Sequence, residues 1–116
     1  MISDSVRDIT YSPIQETYKA GETLSCTARG HPLPSIVWKI KDSNGVKELA
    51  KGNGKAYLEI KDQWVGKDVT LMCTTSNKVN DVVTVLNKTL PTFQALGKYI
   101  LFILTYILLV LDFVSV

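Results

Sequence analysis

The chain has 116 residues, of which 46% are hydrophobic and 21% are charged, so it is long enough for one domain with a packed core and too apolar for wholesale disorder. Its formal net charge of +2 is too small to indicate nucleic acid as a partner. Residues 1–20 carry charges throughout and have no apolar run, so they do not form a signal peptide. We therefore expect the sequence to be a fragment of a longer protein, or to start from a late start codon.

The first half of the chain is predicted to form short strands separated by turns. Residues 1–8 are polar and predict a linker or the edge of a preceding domain. Residues 9–18 predict the first strand, which Pro13 interrupts because proline lacks the N–H that a ladder needs. Residues 23–29 alternate between apolar and polar side chains, and residues 36–41 resume the alternation after a proline-rich loop. Both stretches predict half-buried strands.

The second half continues this pattern. The dipeptide Asn44-Gly45 predicts a tight hairpin turn. Further strands are predicted over residues 46–50, 56–61, 69–75 and 82–90. About seven short strands separated by polar turns predict an all-β fold, an antiparallel β-sandwich with little or no helix within it.

One run of residues resembles a known family. The segment from Cys26 to Lys39 reads Cys-Thr-Ala-Arg-Gly-His-Pro-Leu-Pro-Ser-Ile-Val-Trp-Lys. It resembles the Cys…Ala-x-Gly-x-Pro-x-Pro…Trp pattern of I-set domains in cell-adhesion receptors of the immunoglobulin superfamily. Leu58-Glu59-Ile60 and then Cys73 follow at the distances the family shows. The resemblance covers residues 12–90, and with it we predict an immunoglobulin-like domain over residues 9–91.

The resemblance implies an inter-sheet disulfide between Cys26 and Cys73, with Trp38 packed against it as the core tryptophan. A disulfide indicates an oxidising, extracellular compartment. The alternative is a pair of reduced thiols in the core of an intracellular immunoglobulin domain, of the kind found in filament proteins.

The chain departs from the family pattern just before Cys73. Family members commonly carry a tyrosine two positions before the second cysteine, and here Leu71 occupies that position. The run from Gly66 to Cys73 is more similar to the constant-like domains of nectin-type and nephrin-type adhesion proteins. We expect Trp64, just before this run, to fill the space left without the tyrosine.

A hydrophobic segment follows the predicted domain. Residues 92–98 predict a juxtamembrane spacer, and residues 99–116 predict a hydrophobic, helical segment that is uncharged up to Asp112. A membrane span needs about 20 apolar residues, so this segment is marginal for a single-pass anchor. It also fits a glycosylphosphatidylinositol attachment signal, in which a terminal apolar tail is removed. A third interpretation is translated intron sequence with no role.

No group of residues predicts chemistry. The single histidine, His31, lies in a loop between Gly30 and Pro32, and no nucleophile or second metal ligand accompanies it in the sequence. We therefore expect no enzyme activity, no cofactor, no metal site and no small-molecule substrate. Asn87-Lys88-Thr89 is an N-glycosylation sequon, and Asn87 is the predicted glycosylation site.

The predicted contact surface is the outer face of the sheet that contains Trp38. Its candidate partner-binding residues are Val37, Lys39, Lys41, Thr70, Met72 and Thr74. We expect Thr84 and Leu86 to share this face. Together with Lys39 and Lys41, Lys47 and Lys51 form a predicted basic strip. A binding site for a polyanion is less favoured for this strip than an ordinary solvated sheet face.

The family resemblance implies a non-catalytic recognition or adhesion module. In this interpretation the chain is the membrane-proximal immunoglobulin-like domain of a larger receptor at the plasma membrane. The domain lies outside the cell and binds protein partners, homophilic or heterophilic, through sheet faces or loops. The alternatives are a structural module of an intracellular filament-type protein, and a secreted or fragmentary domain without an anchor.

Overall fold

The computed structural model of the protein describes residues 3–97. Within that range the fold is all-β, as predicted, and the predicted helical tail over residues 99–116 lies outside it. The strands are β1 (Asp4–Ser12), β2 (Tyr18–Lys19), β3 (Thr23–His31), β4 (Ser35–Asp42), β5 (Gly45–Asn53), β6 (Lys55–Glu59), β7 (Asp68–Val79), β8 (Val82–Thr89) and β9 (Phe93–Leu96). A short 3-10 turn, Asp62–Trp64, joins β6 to β7.

The strands form two sheets. The smaller sheet has the order β1-β3-β6, and the larger has the order β2-β9-β7-β4-β5, with β8 also paired to β7. Cys26 on β3 and Cys73 on β7 form a disulfide that joins the two sheets, with their Cα atoms 6.6 Å apart. The molecule is therefore a β-sandwich with an inter-sheet disulfide, which is compatible with an immunoglobulin-like fold.

The period-two alternation of the strands produces the core between the sheets. Trp38 and both half-cystines are fully buried, and Trp38 lies opposite Cys73 in the β4–β7 pair. The indole Nε1–H of Trp38 donates a hydrogen bond to the Ala56 carbonyl at 3.0 Å, so the one polar group of this buried ring has a hydrogen-bond partner. Because the buried residues of β4 and β7 alternate along each strand, the residues between them point to the outer side of the sheet.

The strands extend beyond both predicted boundaries. Residues 4–8, predicted as linker, form the first half of β1, where Val6 is buried and its N–H donates a hydrogen bond to the Asn77 side chain. Residues 93–96, predicted as spacer, form β9, in which Phe93 and Ala95 are buried. β9 pairs with both β7 and β2, so it completes the sandwich rather than leading away from it.

The upper end of the sandwich, defined here by Asp4, Pro32 and Asn77, is joined by one side chain. The buried Asn77 carboxamide accepts a hydrogen bond from the Val6 N–H at 2.9 Å. Its Nδ2 donates to the carbonyl of Asp4 at 2.8 Å and to the carbonyl of Pro32 at 3.1 Å. One amide therefore ties the first strand and the β3–β4 loop to β7.

The lower end, defined by Tyr18, Trp64 and Phe93, is filled by aromatic rings. All three are buried, and the Tyr18 ring meets Phe93 edge-on with centroids 4.9 Å apart. The Tyr18 hydroxyl donates to the Pro13 carbonyl at 2.5 Å and accepts from the Gln15 N–H at 3.2 Å. A tyrosine far from Cys73 thus makes hydroxyl-to-backbone bonds, while Trp64 belongs to the buried core as expected.

Candidate functional site

The β4–β7 pair brings all six predicted partner-binding residues together on one surface. Each of them alternates with an inward residue of the core, so they share the outer face of the larger sheet. The cross-strand pairs are Val37 with Thr74, Lys39 with Met72, and Lys41 with Thr70. We call this surface the outer face. Its position follows from the burial of Trp38 and Cys73, which fixes the register of both strands.

The flanking strands widen the outer face. On β5, Lys51 lies beside Val37 and Glu48 lies beside Lys39. On β8, Asn87 lies beside Thr74 and Thr89 lies beside Met72. These cross-strand neighbours form continuous rows that run over four strands.

The sequence analysis missed Val85, which lies opposite Ser76 on the outer face and is 52% exposed. The signal was the two-residue turn at Asn80 and Asp81. Both have positive φ, at 51° and 65°, as a tight hairpin turn requires. Counting back from this turn gives the whole register of β7 and β8.

The same register corrects three expected neighbours. Leu86 lies opposite Thr75 and packs against the core, so it does not share the outer face with Val37. Thr84 lies opposite the buried Asn77 and also points inward. On β5, a bulge places Lys47 opposite Ile40, so it leaves the strip that Lys39 and Lys51 form.

The outer face combines a short apolar strip with a basic rim. Val37 and Met72 are half-buried at its centre, and Val85 is a separate exposed apolar residue at the β8 edge. Three lysines and one glutamate surround the centre, on β4 and β5, and one pair of them interacts: the Lys51 Nζ lies 3.4 Å from the Glu48 carboxylate. Such a surface can bury apolar area against another protein, and its charges favour a partner of the opposite sign.

The predicted glycosylation site lies on this same face. The Asn87 side chain is exposed, and its Oδ1 accepts a hydrogen bond from the Thr74 hydroxyl at 2.7 Å. Thr89, the third residue of the sequon, is exposed two positions along the strand. The sequon therefore belongs to the outer face, near the end of β8.

A cleft at the lower end offers a second concave surface. Trp64 forms part of its floor, and four charged residues stand around it: Lys47, Lys67, Asp42 and Asp68. Within residues 3–97 no three histidine, cysteine or carboxylate side chains are grouped so as to hold a metal ion. His31 is exposed at the end of β3, at the opposite end of the sandwich.

Among residues 3–97, Tyr18 has a shifted pKa. Burial removes solvent from the Tyr18 phenol and raises its pKa above the ordinary value, while the hydrogen bond from the Gln15 amide opposes the rise. This tyrosine lies in the lower end against Phe93, not on the outer face. Its ionisation therefore bears on stability rather than on recognition.

Comparison with known proteins adds no family assignment: no protein-family model and no curated protein sequence matches the chain. In the part of the chain that the structure describes, no helix is long and apolar enough to cross a membrane. The hydrophobic segment predicted over residues 99–116 is outside that part.

Proposed function

We propose that the chain is a non-catalytic recognition domain of the immunoglobulin type that binds a protein partner through the outer face. The observation that carries the proposal is the β4–β7 register, which puts Val37 beside Thr74 and Lys39 beside Met72 on an exposed surface. An apolar centre with a polar rim is the arrangement that protein interfaces use. The aligned charges supply orientation and encounter rate rather than most of the affinity.

The charge of the outer face favours a heterophilic partner. On the outer face of β4 and β5, three lysines stand against one acidic residue, Glu48; the lysines are Lys39, Lys41 and Lys51. A second copy docked face to face would bring these lysines close to one another, and like charges in an interface cost binding free energy. A partner with carboxylates around an apolar patch avoids this cost, so it is the partner class we favour over homophilic contact.

We also propose a finer assignment, in which the chain is the membrane-proximal domain of an adhesion receptor similar to the nectin and nephrin types. In this proposal the domain is extracellular, and residues 99–116 hold it at the plasma membrane. The Cys26–Cys73 disulfide supports it, because such bonds persist in oxidising compartments. The exposed sequon at Asn87 supports the same compartment.

The test is a binding screen with the full chain displayed on lipid vesicles. The vesicles are presented to a panel of purified cell-surface ectodomains, and vesicles that carry the same chain are included as the homophilic probe. We expect an ectodomain with an acidic surface to bind, and the binding to weaken as salt is raised. The double variant Val37→Asp, Met72→Asp should abolish this binding, because it places two carboxylates at the apolar centre.

Tyr57→Asp is the matched control. Tyr57 is 59% exposed and lies on β6 in the smaller sheet, so its replacement adds a carboxylate to the opposite side of the sandwich. Binding that survives the double variant, or that Tyr57→Asp reduces equally, contradicts the proposal. So does a panel in which nothing binds.

A further inference from the structure

The position of the sequon leads to a further inference about the outer face. We propose that an N-linked glycan on Asn87 covers this face, so that glycosylation determines whether the face is open to a protein partner. The regulatory part rests on the proposed function, since it takes the outer face as the binding surface. The covering itself depends only on where Asn87 lies.

The Asn87 side chain lies on the outer face and contacts its centre. Its Oδ1 accepts the hydrogen bond from the Thr74 hydroxyl, and Thr74 lies on β7, toward the centre of the sheet. The Nδ2 that would carry the sugar is the other terminal atom of the same planar amide, so it is directed away from the Thr74 hydroxyl. A glycan on this atom therefore starts on the outer face, next to Thr74.

The rows of the sheet give the distance the sugar has to reach. Lys51, Val37, Thr74 and Asn87 lie side by side on four adjacent strands. Neighbouring strands are about 4.8 Å apart, so Thr74 is one spacing from the attachment site, Val37 two and Lys51 three. A bulky, hydrated oligosaccharide rooted at Asn87 extends over distances of this order.

The fold accommodates the modification without disturbing the core. Residues two apart in a strand share a face, so Asn87 and Thr89 both point to the outer side and both are exposed. The inward positions of this strand, such as Leu86, are unaffected. The sugar thus affects what the domain binds and leaves its folding intact.

The modification is a group transfer with a donor of known class, a lipid-linked pyrophosphate oligosaccharide. The Asn87 Nδ2 forms a bond to the anomeric carbon of the sugar, and the bond between that carbon and the phosphate oxygen breaks. The lipid pyrophosphate is the leaving group, and the amide proton is released.

The experiment compares the full chain, expressed behind a secretion leader, with two variants at one position. Thr89→Ala destroys the sequon and keeps Asn87, whereas Thr89→Ser keeps the sequon and is the matched control. Each purified protein is treated with a lysine-reactive ester on a long polyethylene glycol chain. Modification of Lys51 is measured by peptide mass spectrometry relative to Lys55, which lies on β6 in the other sheet.

We expect the wild-type chain and Thr89→Ser to carry a glycan. In these two proteins, the reactivity of Lys51 relative to Lys55 should be severalfold lower than in Thr89→Ala. The side chain of Lys51 is 72% exposed in the protein without sugar, so a glycan that covers it would lower its reactivity measurably. An unglycosylated wild-type chain from the secretory pathway overturns the inference. A glycosylated chain with the same Lys51 to Lys55 ratio as Thr89→Ala overturns it too.

The screen described above separates this inference from the proposed function. If the wild-type chain produced without the glycan still binds no ectodomain, the proposed function fails while the shielding result stands. If the glycosylated protein binds through the outer face as tightly as the wild-type chain without the glycan, the proposed function stands and the regulatory inference is wrong.

Discussion

The upper and lower ends of the sandwich are held by different chemistry. At the upper end, the single Asn77 side chain makes three hydrogen bonds to the backbone of two other segments. At the lower end, Tyr18, Trp64 and Phe93 fill the space between the sheets with buried rings. A polar junction of this kind depends on all its partners at once, whereas aromatic packing is spread over many contacts. The upper end should therefore open locally, and loss of the lower end should unfold the whole domain.

The largest effect is expected from Trp64→Ala. The ring is 7% exposed and belongs to the core, so its removal leaves a cavity that the sheets cannot close. We expect a loss of about 3–5 kcal/mol in the free energy of unfolding, measured by chemical denaturation. Trp64→Phe retains an aromatic ring and should lose clearly less. A denaturation midpoint that hardly moves in Trp64→Ala would refute the role assigned to this residue.

Asn77→Ala should have a smaller effect on stability and a local effect on dynamics. It leaves the buried Val6 N–H without its acceptor, and we expect a loss of about 2 kcal/mol. Hydrogen exchange should accelerate at the Val6 amide, while the amides of β3 before Cys26, on the half of the strand away from the upper end, keep their protection. Uniform acceleration through both sheets would show that the junction is not local.

Thr75→Val is the matched variant for this experiment. Thr75 is fully buried two positions from Asn77 on the same inward side of β7, and its hydroxyl has no hydrogen-bond partner among the described residues. Replacing an unpartnered hydroxyl by a methyl group of similar shape should leave stability unchanged or raise it. If Thr75→Val lost as much free energy of unfolding as Asn77→Ala, the stability of the upper end would depend on side-chain packing and not on hydrogen bonding.

A smaller loss of stability than that of Asn77→Ala is expected at Tyr18. Tyr18→Phe keeps the ring against Phe93 and removes the hydroxyl bonds to Pro13 and Gln15, which should cost about 1 kcal/mol near neutral pH. Because the pKa of Tyr18 is raised in the folded state, the folded protein keeps a proton that the unfolded chain loses. This contribution is complete below about pH 10, the ordinary tyrosine pKa, and is lost as the pH rises through the folded-state value.

The matching measurement is the thermal midpoint of both proteins from neutral to alkaline pH. The wild-type midpoint should fall more steeply than that of Tyr18→Phe above about pH 10, so that the difference between them narrows. Parallel curves would show that this phenol does not titrate differently in the two states.

The sequence could predict the features that depend on local patterns. The alternation around Cys26, Trp38 and Cys73 predicted strands with one buried face, and Asn44-Gly45 predicted the β4–β5 turn, where Gly45 has a φ of 114°. The six outer-face residues followed from the same alternation, because a strand whose inward residues are known has its outward residues fixed. Their role in binding stays a prediction.

The features that depend on partners distant in the chain could not be read from local pattern. Val6 alone in a polar segment does not indicate a strand, and only its bond to Asn77, 71 positions away, explains its burial. The short β9 strand likewise depends on pairing with β2 and β7. On β8 the error was one of register, since a shift of one residue moves Leu86 from the outer face to the core.

The most direct test of the central claim, recognition through the outer face, is lysine protection in a complex. The full chain on vesicles is bound to the ectodomain found in the screen, and lysine reactivity is compared with that of the free chain. We predict that Lys39 and Lys51 become protected while Lys55, on the opposite sheet, reacts as before. Unchanged reactivity at Lys39 and Lys51, or protection at Lys55 instead, would contradict the account.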